Sequence, residues 1–272
     1  MAIGSSELKR LLDHIEDRVR DHLLFVTAFD GVLAEHQPDR DRVAVTQHRR
    51  VLLKHLLDAP GVSVAVVSGR SIADLRRRID LGSRLFYVGL HGLESAGPGF
   101  SRVQREVIDA FDNRLLDVAN ILRPIIGGIR GVELDVTQAV ITLHTPHRSP
   151  DALWSRFQLF DIFADLLSSG VVRVIRSQNA IAVLPDAGSS TAEAIRAVGQ
   201  FLEGEAGTSV YTVYLGEDSS DDDALDSVAE PGAGAGVVIG RRRAQAEFHL
   251  PAAELDQFVE ALALLRASAP QS

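Results

Sequence analysis

Hydrophobic and polar positions alternate along this chain with two periods, and their order predicts two kinds of layer. Residues 1–21 set leucines at helical spacing among alternating charges, without the apolar segment of a signal peptide. Leu23 to Ala28 is a short apolar run ending at Asp30-Gly31, a strand followed by a turn. Residues 42–57 carry apolar positions at helical spacing, and Val62 to Val67 is β-branched, uncharged and short, as in a strand buried on both faces. Ser68-Gly69-Arg70 follows, and Ser71-Ile72-Ala73-Asp74 then fits the capping-box pattern that opens a helix. Leu85 to Gly89 predicts a third strand. Strands separated by helices imply a parallel sheet with helices on both faces.

The pattern changes after Ser95-Ala96-Gly97-Pro98-Gly99, a loop by composition. A long helix from about 103 to Leu122, strands at Val132 to Thr137 and Ala139 to His144, a helix from Pro150 to Leu167, and strands at Val171 to Arg176 and Ala180 to Leu184 give the order αββαββ. That is a small α+β layer pair able to stand as its own domain. Alternation resumes with a helix from about Ser190, a strand at Val210 to Leu215, a short helix after Ser220, strands at Gly236 to Ile239 and Ala246 to Leu250, and a final helix from Ala253 to Ala267. Gly232 to Gly236 precedes a strand, whereas a dinucleotide fingerprint follows one, so it reads as a flexible turn. The expected organisation is an α/β core in two parts, 1–102 and 188–272, interrupted by an inserted domain at 103–187.

Composition removes several function classes. Hydrophobic residues make up 46% of the 272, enough for a large core. A net charge of −9 argues against sequence-independent nucleic-acid binding, and runs such as Arg76-Arg77-Arg78 and Arg241-Arg242-Arg243 read as solvated surface. Cysteine is absent, which excludes disulfides, thiolate zinc sites and a cysteine nucleophile. No run reaches the roughly 18 apolar residues of a membrane span. The expectation by elimination is a cytoplasmic protein without membrane or nucleic-acid partners.

Ligands of open parallel sheets bind beyond the C-terminal strand ends. Three polar clusters fall there: Asp30-Gly31, Ser68-Gly69-Arg70, and the acidic stretch from Gly216 through Glu217, Asp218 and Asp221 to Asp223. A hydroxyl and free backbone N–H groups at a helix start suit a phosphate oxygen, and clustered carboxylates suit a hard cation such as Mg2+. Each cluster also has a plain structural reading, as turn, N-cap and helix-dipole partner, and His91 alone reads as a core histidine. Their joint placement at one sheet edge favours phosphoryl chemistry.

These residues resemble the haloacid dehalogenase superfamily, and within it the trehalose-6-phosphate phosphatase family. The carriers are FDGVLA, VAVVSGRSIADL, GLHGLE and YLGEDSSDDDAL, with the αββαββ insertion where that family places its cap. The fold implied is a Rossmann-like parallel-sheet core with an inserted α+β cap. The resemblance implies a phosphomonoesterase whose aspartate attacks phosphorus, while a second aspartate two residues later serves as acid and then base. Mg2+ would lie between them and the acidic motif, and the cap would close over a disaccharide phosphate. By position, Asp30 falls on the general acid and a metal site, Ser68 on the phosphate-binding hydroxyl, and Glu217, Asp218 and Asp221 on the metal-binding motif. Gly69, Arg70, His91 and Glu94 match substrate-proximal positions, as do Glu133 and His144 in the cap.

The match departs from the family at decisive places. Ala28 stands at the nucleophile position. Thr191 stands where the motif's lysine is expected, Asp135 where a cap lysine is usual, and Ala182 and Leu184 where a glutamate and an arginine are usual. Glu217 replaces an aspartate, and Val32 a threonine. Losing a member of a covalent catalytic unit can cost on the order of a millionfold in rate. The sequence therefore implies a very poor phosphatase with weakened Mg2+ binding and a sugar phosphate, such as trehalose 6-phosphate, as its ligand. Three explanations stand: an engineered aspartate-to-alanine change in an active enzyme, a natural pseudo-phosphatase acting in binding or regulation, or a phosphatase of altered substrate in which Arg173 or Arg176 replaces the lysine. The last still lacks a nucleophile.

Overall fold

The computed structural model describes residues 5–19, 21–37, 39–145, 164, 168, 170–177, 179–230, 232–240 and 246–268. The first elements are α1 (Ser6–Arg18), β1 (His22–Ala28), α2 (Gln47–Asp58), β2 (Val62–Val67), α3 (Ile72–Ile79), β3 (Phe86–Gly89), β4 (Glu94–Gly97) and β5 (Phe100–Val103). Then come α4 (Arg105–Ile126), β6 (Glu133–Thr137), β7 (Val140–His144), β8 (Val172–Arg176) and β9 (Ala180–Pro185). The chain ends with α5 (Thr191–Ala206), β10 (Val210–Gly216), α6 (Asp222–Val228), β11 (Gly234–Ile239), β12 (Phe248–Leu250) and α7 (Leu255–Ala267). The helix expected over Pro150 to Leu167 lies almost wholly outside the described residues.

Two compact units result. One comprises Met1–Arg102, Ser190–Glu217 and Asp221–Ser272; the other comprises Val103–Ser189 and Asp218–Ser220. In the first, eight strands form a sheet in the order β12-β11-β10-β1-β2-β3-β4-β5, with every pairing from β12 to β3 parallel. β1 is central and buried on both faces: Leu23, Leu24, Phe25 and Val26 are at most 1% exposed. This is the packing that its unbroken apolar run requires. Its register sets Ala28 beside Val67 and Thr27 beside Leu215. The residues just past the ends of β1, β2 and β10 are therefore neighbours.

Three boundaries differ from the sequence expectation. The segment 95–99 reads as a loop, yet Glu94–Gly97 is a strand, because antiparallel pairing of Tyr87 with Ala96 and Val88 with Ser95 supplies a ladder that composition does not reveal. The glycine run before Ile239 begins β11 at Gly234, paired to β10. The helix expected from residue 42 starts at Gln47, where the Thr46 hydroxyl accepts from Arg49 N at 3.2 Å.

The second unit is a four-stranded antiparallel sheet, β6-β7-β9-β8, packed on α4. Ile141, Leu143, Ile181 and Val183 share a core with Leu115, Ala119 and Leu122 of the helix. Because strand residues alternate, Glu133, Asp135, Thr142, His144, Ala180 and Ala182 lie on the other sheet face. Among the described residues no helix is long and apolar enough to cross a membrane.

Two glycines in this frame test the packing in opposite directions. Gly92 has φ +99°, and a Cβ there would lie 2.4 Å from the Ser190 carbonyl oxygen, at the capping box that opens α5. Gly199, inside α5, has open space where a Cβ would stand. By chemical denaturation, Gly92→Ala is expected to lower stability by about 2–3 kcal/mol. Gly199→Ala is expected to raise it by about 0.5–1 kcal/mol.

Candidate active site

The site in the first unit is built around the turn that follows β1. Ala28 closes the strand with its methyl buried, 7% exposed, and Asp30 stands two residues on, bridged to Ala34. Gly31 has φ +78°, and the backbone returns through Gly31 N to Ala34 O and Leu33 N to Ala28 O. Arg49 of α2 fixes this turn from below, donating through Nη1 to the Val32 and Leu33 carbonyls and through Nε to Asp256.

Asp30 is engaged by two side chains. Arg70 donates to its carboxylate through Nε at 3.0 and 3.1 Å and through Nη2 at 2.9 Å, and the Ser68 hydroxyl donates at 3.2 Å. Arg70 is itself buried. Its Nη1 donates to Asp74, its Nη2 also to the Arg40 carbonyl, and its guanidinium lies 5.5 Å from the centre of the Phe29 ring. Asp74 in turn accepts from Arg78, whose Nη1 donates to the Asp41 and Val43 carbonyls. Burial works to raise the Asp30 carboxyl, but the hydrogen bonds and charge of Arg70, with the charge of Arg40 and the Ser68 bond, leave it below its ordinary value. For Arg70 burial works downward, and pairing with Asp30 and Asp74 carries the net shift upward.

The GLHGLE segment packs against this cluster. Leu90, His91 and Gly92 have φ of 50°, 54° and 99°, a run of left-handed backbone that non-glycine residues adopt only under tertiary constraint. The constraint is visible: Leu90 N donates to the Arg70 carbonyl and His91 N to the Ser68 carbonyl. A Cβ at Gly69 would lie 2.4 Å from His91 Nε2, so the histidine ring rests on the glycine of Ser68-Gly69-Arg70. Glu94 Oε1 accepts from Ile72 N at 2.6 Å, capping α3. The capping box read at Ser71 is half formed: Asp74 N donates to the Ser71 hydroxyl, while the Asp74 carboxylate serves the arginines.

The acidic stretch divides its carboxylates. Asp221 is 8% exposed, with Oδ1 accepting from Tyr214 at 2.5 Å and Oδ2 from Glu217 N at 2.8 Å. Glu217 reaches back over Gly31, where a Cβ would lie 1.5 Å from its Oε2, and that oxygen is 2.8 Å from His36 Nε2. Asp218, grouped with the second unit, accepts from the Ser220 backbone and hydroxyl. A cation held here would draw on carboxylate oxygens. Position 28 offers none, both Asp221 oxygens are engaged, and Glu217 is bonded to His36. Among the described residues no three or more His, Cys, Asp or Glu side chains form a group able to hold a metal ion. As they stand, these carboxylates are directed to protein donors and do not converge on one point.

Glu133 faces His144 across the β6–β7 ladder, and Asp135 faces Thr142, which in turn faces Ala182. Arg173 Nη2 donates to the Ser189 carbonyl. Sequence reading missed His36, Arg40 and Arg49, and it placed Arg78 on solvated surface, whereas Arg78 is 6% exposed because Asp74 and the Asp41 and Val43 carbonyls satisfy its guanidinium. Only Asp74 and Arg78 carried a readable signal, the i,i+4 spacing of an ion pair on a helix.

The trehalose-phosphatase family profile matches residues 26–248. A trehalose-phosphate phosphatase of Mycobacterium marinum is 29% identical over 207 residues, covering 75% of this chain and 51% of that protein. The chain spans about half the length of the first curated relatives that it matches. Among solved structures, the C-terminal domain of a Candida albicans trehalose-6-phosphate phosphatase superposes with a TM-score of 0.79 at 17% identity, covering 96% of this chain and 97% of that one. A trehalose-6-phosphate phosphatase related protein superposes with a TM-score of 0.70 at 18% identity, covering 89% and 97%. These superpositions show the fold.

The arginine network predicts an acid response. Burial alone would raise Asp74, but hydrogen bonds from Arg78 and Arg70, and their charges, hold it below the ordinary 3.8. A carboxyl depressed in the folded state contributes stability that is present above 3.8 and is lost as pH falls below it, through the folded value. The stability difference between the native chain and Asp74→Asn, measured by urea unfolding, should be constant at neutral pH and shrink as pH drops below 4.

Proposed function

The chain belongs to the trehalose-phosphatase family, and from that premise we propose that it is a natural pseudo-phosphatase: it binds a sugar phosphate of the trehalose 6-phosphate class and does not hydrolyse it. The observation that carries this reading is the end of β1, where a buried methyl stands in place of the attacking carboxylate while Asp30, Ser68 and Arg70 remain assembled beside it. Phosphoryl transfer through a covalent intermediate needs an oxygen within reach of phosphorus, and position 28 has none. Asp30 has no leaving group to protonate if no bond to phosphorus forms.

A second departure supports a natural origin over a single engineered replacement. Thr191 occupies the first turn of α5 and is 8% exposed, in the place where the family resemblance expects a lysine. One aspartate-to-alanine change does not account for it. The Ser68 hydroxyl is the donor offered to a phosphate group, with the His91 ring against the adjoining Gly69 and Glu94 beside Gly89. On this reading Mg2+ binds weakly, because the carboxylate of position 28 is gone, and sugar-phosphate binding proceeds without it. The role is that of a binding or regulatory protein in trehalose metabolism, acting in the cytoplasm.

Calorimetric titration with trehalose 6-phosphate, trehalose and Mg2+, alongside a phosphate-release assay, tests the reading. Trehalose 6-phosphate should bind saturably, trehalose more weakly, and no phosphate should appear above the uncatalysed background. Ala28→Asp should remain without turnover, since Thr191 brings no amine to the transferring phosphate. Phosphate release by the native chain or by Ala28→Asp, or absence of any trehalose 6-phosphate binding, would overturn it.

A further inference from the structure

The Ser68 hydroxyl, which the resemblance places on phosphate, and the Arg70 guanidinium, which it places near the substrate, both donate to one protein anion, the carboxylate of Asp30. The arrangement is that of an oxyanion in its donor set: one hydroxyl at 3.2 Å and a two-nitrogen fork at 2.9–3.1 Å. We propose that Asp30 is an internal competitor for phosphate, occupying the Ser68–Arg70 donor set so that a phosphate group enters only by displacing it. This deepens the sugar-phosphate reading and rests on it for the approach of phosphate to Ser68.

The partners of the pair are unequally held, which decides the one that moves. Arg70 is 7% exposed, anchored behind by Asp74 at 3.1 Å and by the Arg40 carbonyl at 3.4 Å, with the Phe29 ring alongside. Its fork cannot swing away to meet a ligand elsewhere without breaking those contacts. Asp30 is a third exposed, on a turn, and its carboxylate has side-chain partners in Ser68 and Arg70 alone among the bonds described for it. A single torsion about Cα–Cβ takes it out of the fork. A phosphate monoester brings more negative charge and more acceptor oxygens than a carboxylate, so the exchange is favourable in charge and opposed by the loss of a preformed ion pair.

The test is calorimetric titration of the native chain and variants with inorganic phosphate, each variant first checked for a native-like thermal transition. Asp30→Asn keeps the shape and removes the competing charge, and should tighten phosphate binding at least about fivefold, the scale of a partly exposed ion pair. Arg70→Gln should weaken binding relative to the native chain. In the double variant Asp30→Asn with Arg70→Gln the gain should vanish, because the released fork is its source. Asp30→Ala serves if the asparagine variant does not fold, with the same expected gain. Phosphate binding no tighter in both folded Asp30 variants, or a gain that survives in the double variant, would overturn the inference. If the native chain binds no trehalose 6-phosphate yet Asp30→Asn gains phosphate, the proposed ligand falls and the competitor stands. Native binding of trehalose 6-phosphate without a gain in Asp30→Asn has the reverse meaning.

Discussion

The burial of β1 between β10 and β2 is the constraint on which the rest of the structure depends. A parallel strand covered on both faces cannot slide in register without exposing its apolar row, so Ala28 is fixed beside Val67 and Thr27 beside Leu215. Asp30, Ser68 and Glu217 follow from those three strand ends as neighbours, whatever their side chains then do. The chemistry available at the site is thus decided by residue identity at positions the sheet has already placed. A methyl at position 28 disturbs none of the packing that puts it there, so the fold does not depend on a carboxylate at that position.

Around that fixed edge, the polar residues satisfy one another. Asp30 is bound by Arg70, Arg70 by Asp74, Asp74 by Arg78, and Arg78 by the carbonyls of the 41–43 segment. Buried charges require such pairing, since an unpartnered one in this setting would be strongly destabilising. The network therefore joins the turn after β1, the start of α3 and the segment leading to α2 into one unit. The left-handed run at Leu90 to Gly92 is held on the same framework by the carbonyls of Ser68 and Arg70. The motifs Ser68-Gly69-Arg70 and GLHGLE are two halves of a single packed feature, with the His91 ring seated on Gly69.

Much of this architecture was legible in the sequence because its signals are local. The apolar runs of β1, β2 and β10 announce buried strands by length and composition alone, and the serines before α3 and α5 announce helix starts. What could not be read depends on partners distant in the chain. β4 is a strand only because β3 lies beside it, and its residues look like loop. Glu94 reads as a sugar-facing acid by resemblance, yet one of its oxygens caps α3 from 22 residues away. His36 gave no signal, since its contact is with a glutamate 181 positions on. Asp30 and Arg70 were each singled out in the sequence, but their pairing across 40 positions was not readable there, and the pairing changes what each can do.

Charge balance links the two departures from the family resemblance, Ala28 and Thr191. In a phosphatase of this family the resemblance sets a carboxylate at position 28 and an ammonium at position 191, opposite charges serving one phosphate. Removing both leaves the formal charge of the site unchanged, whereas removing either alone leaves an excess that the surrounding low-dielectric core would penalise. Of the acids at the site, Asp30 is ion-paired with Arg70 and Glu217 is hydrogen-bonded to His36. A site whose most buried ion pair, Asp30 with Arg70, is satisfied within the protein needs no ligand to hold its shape. It also binds an incoming anion only by exchange, so its affinity is set by the strength of the pair that must open. On the proposed reading, the pair that keeps the empty site in shape therefore also limits how tightly that site can hold a phosphate.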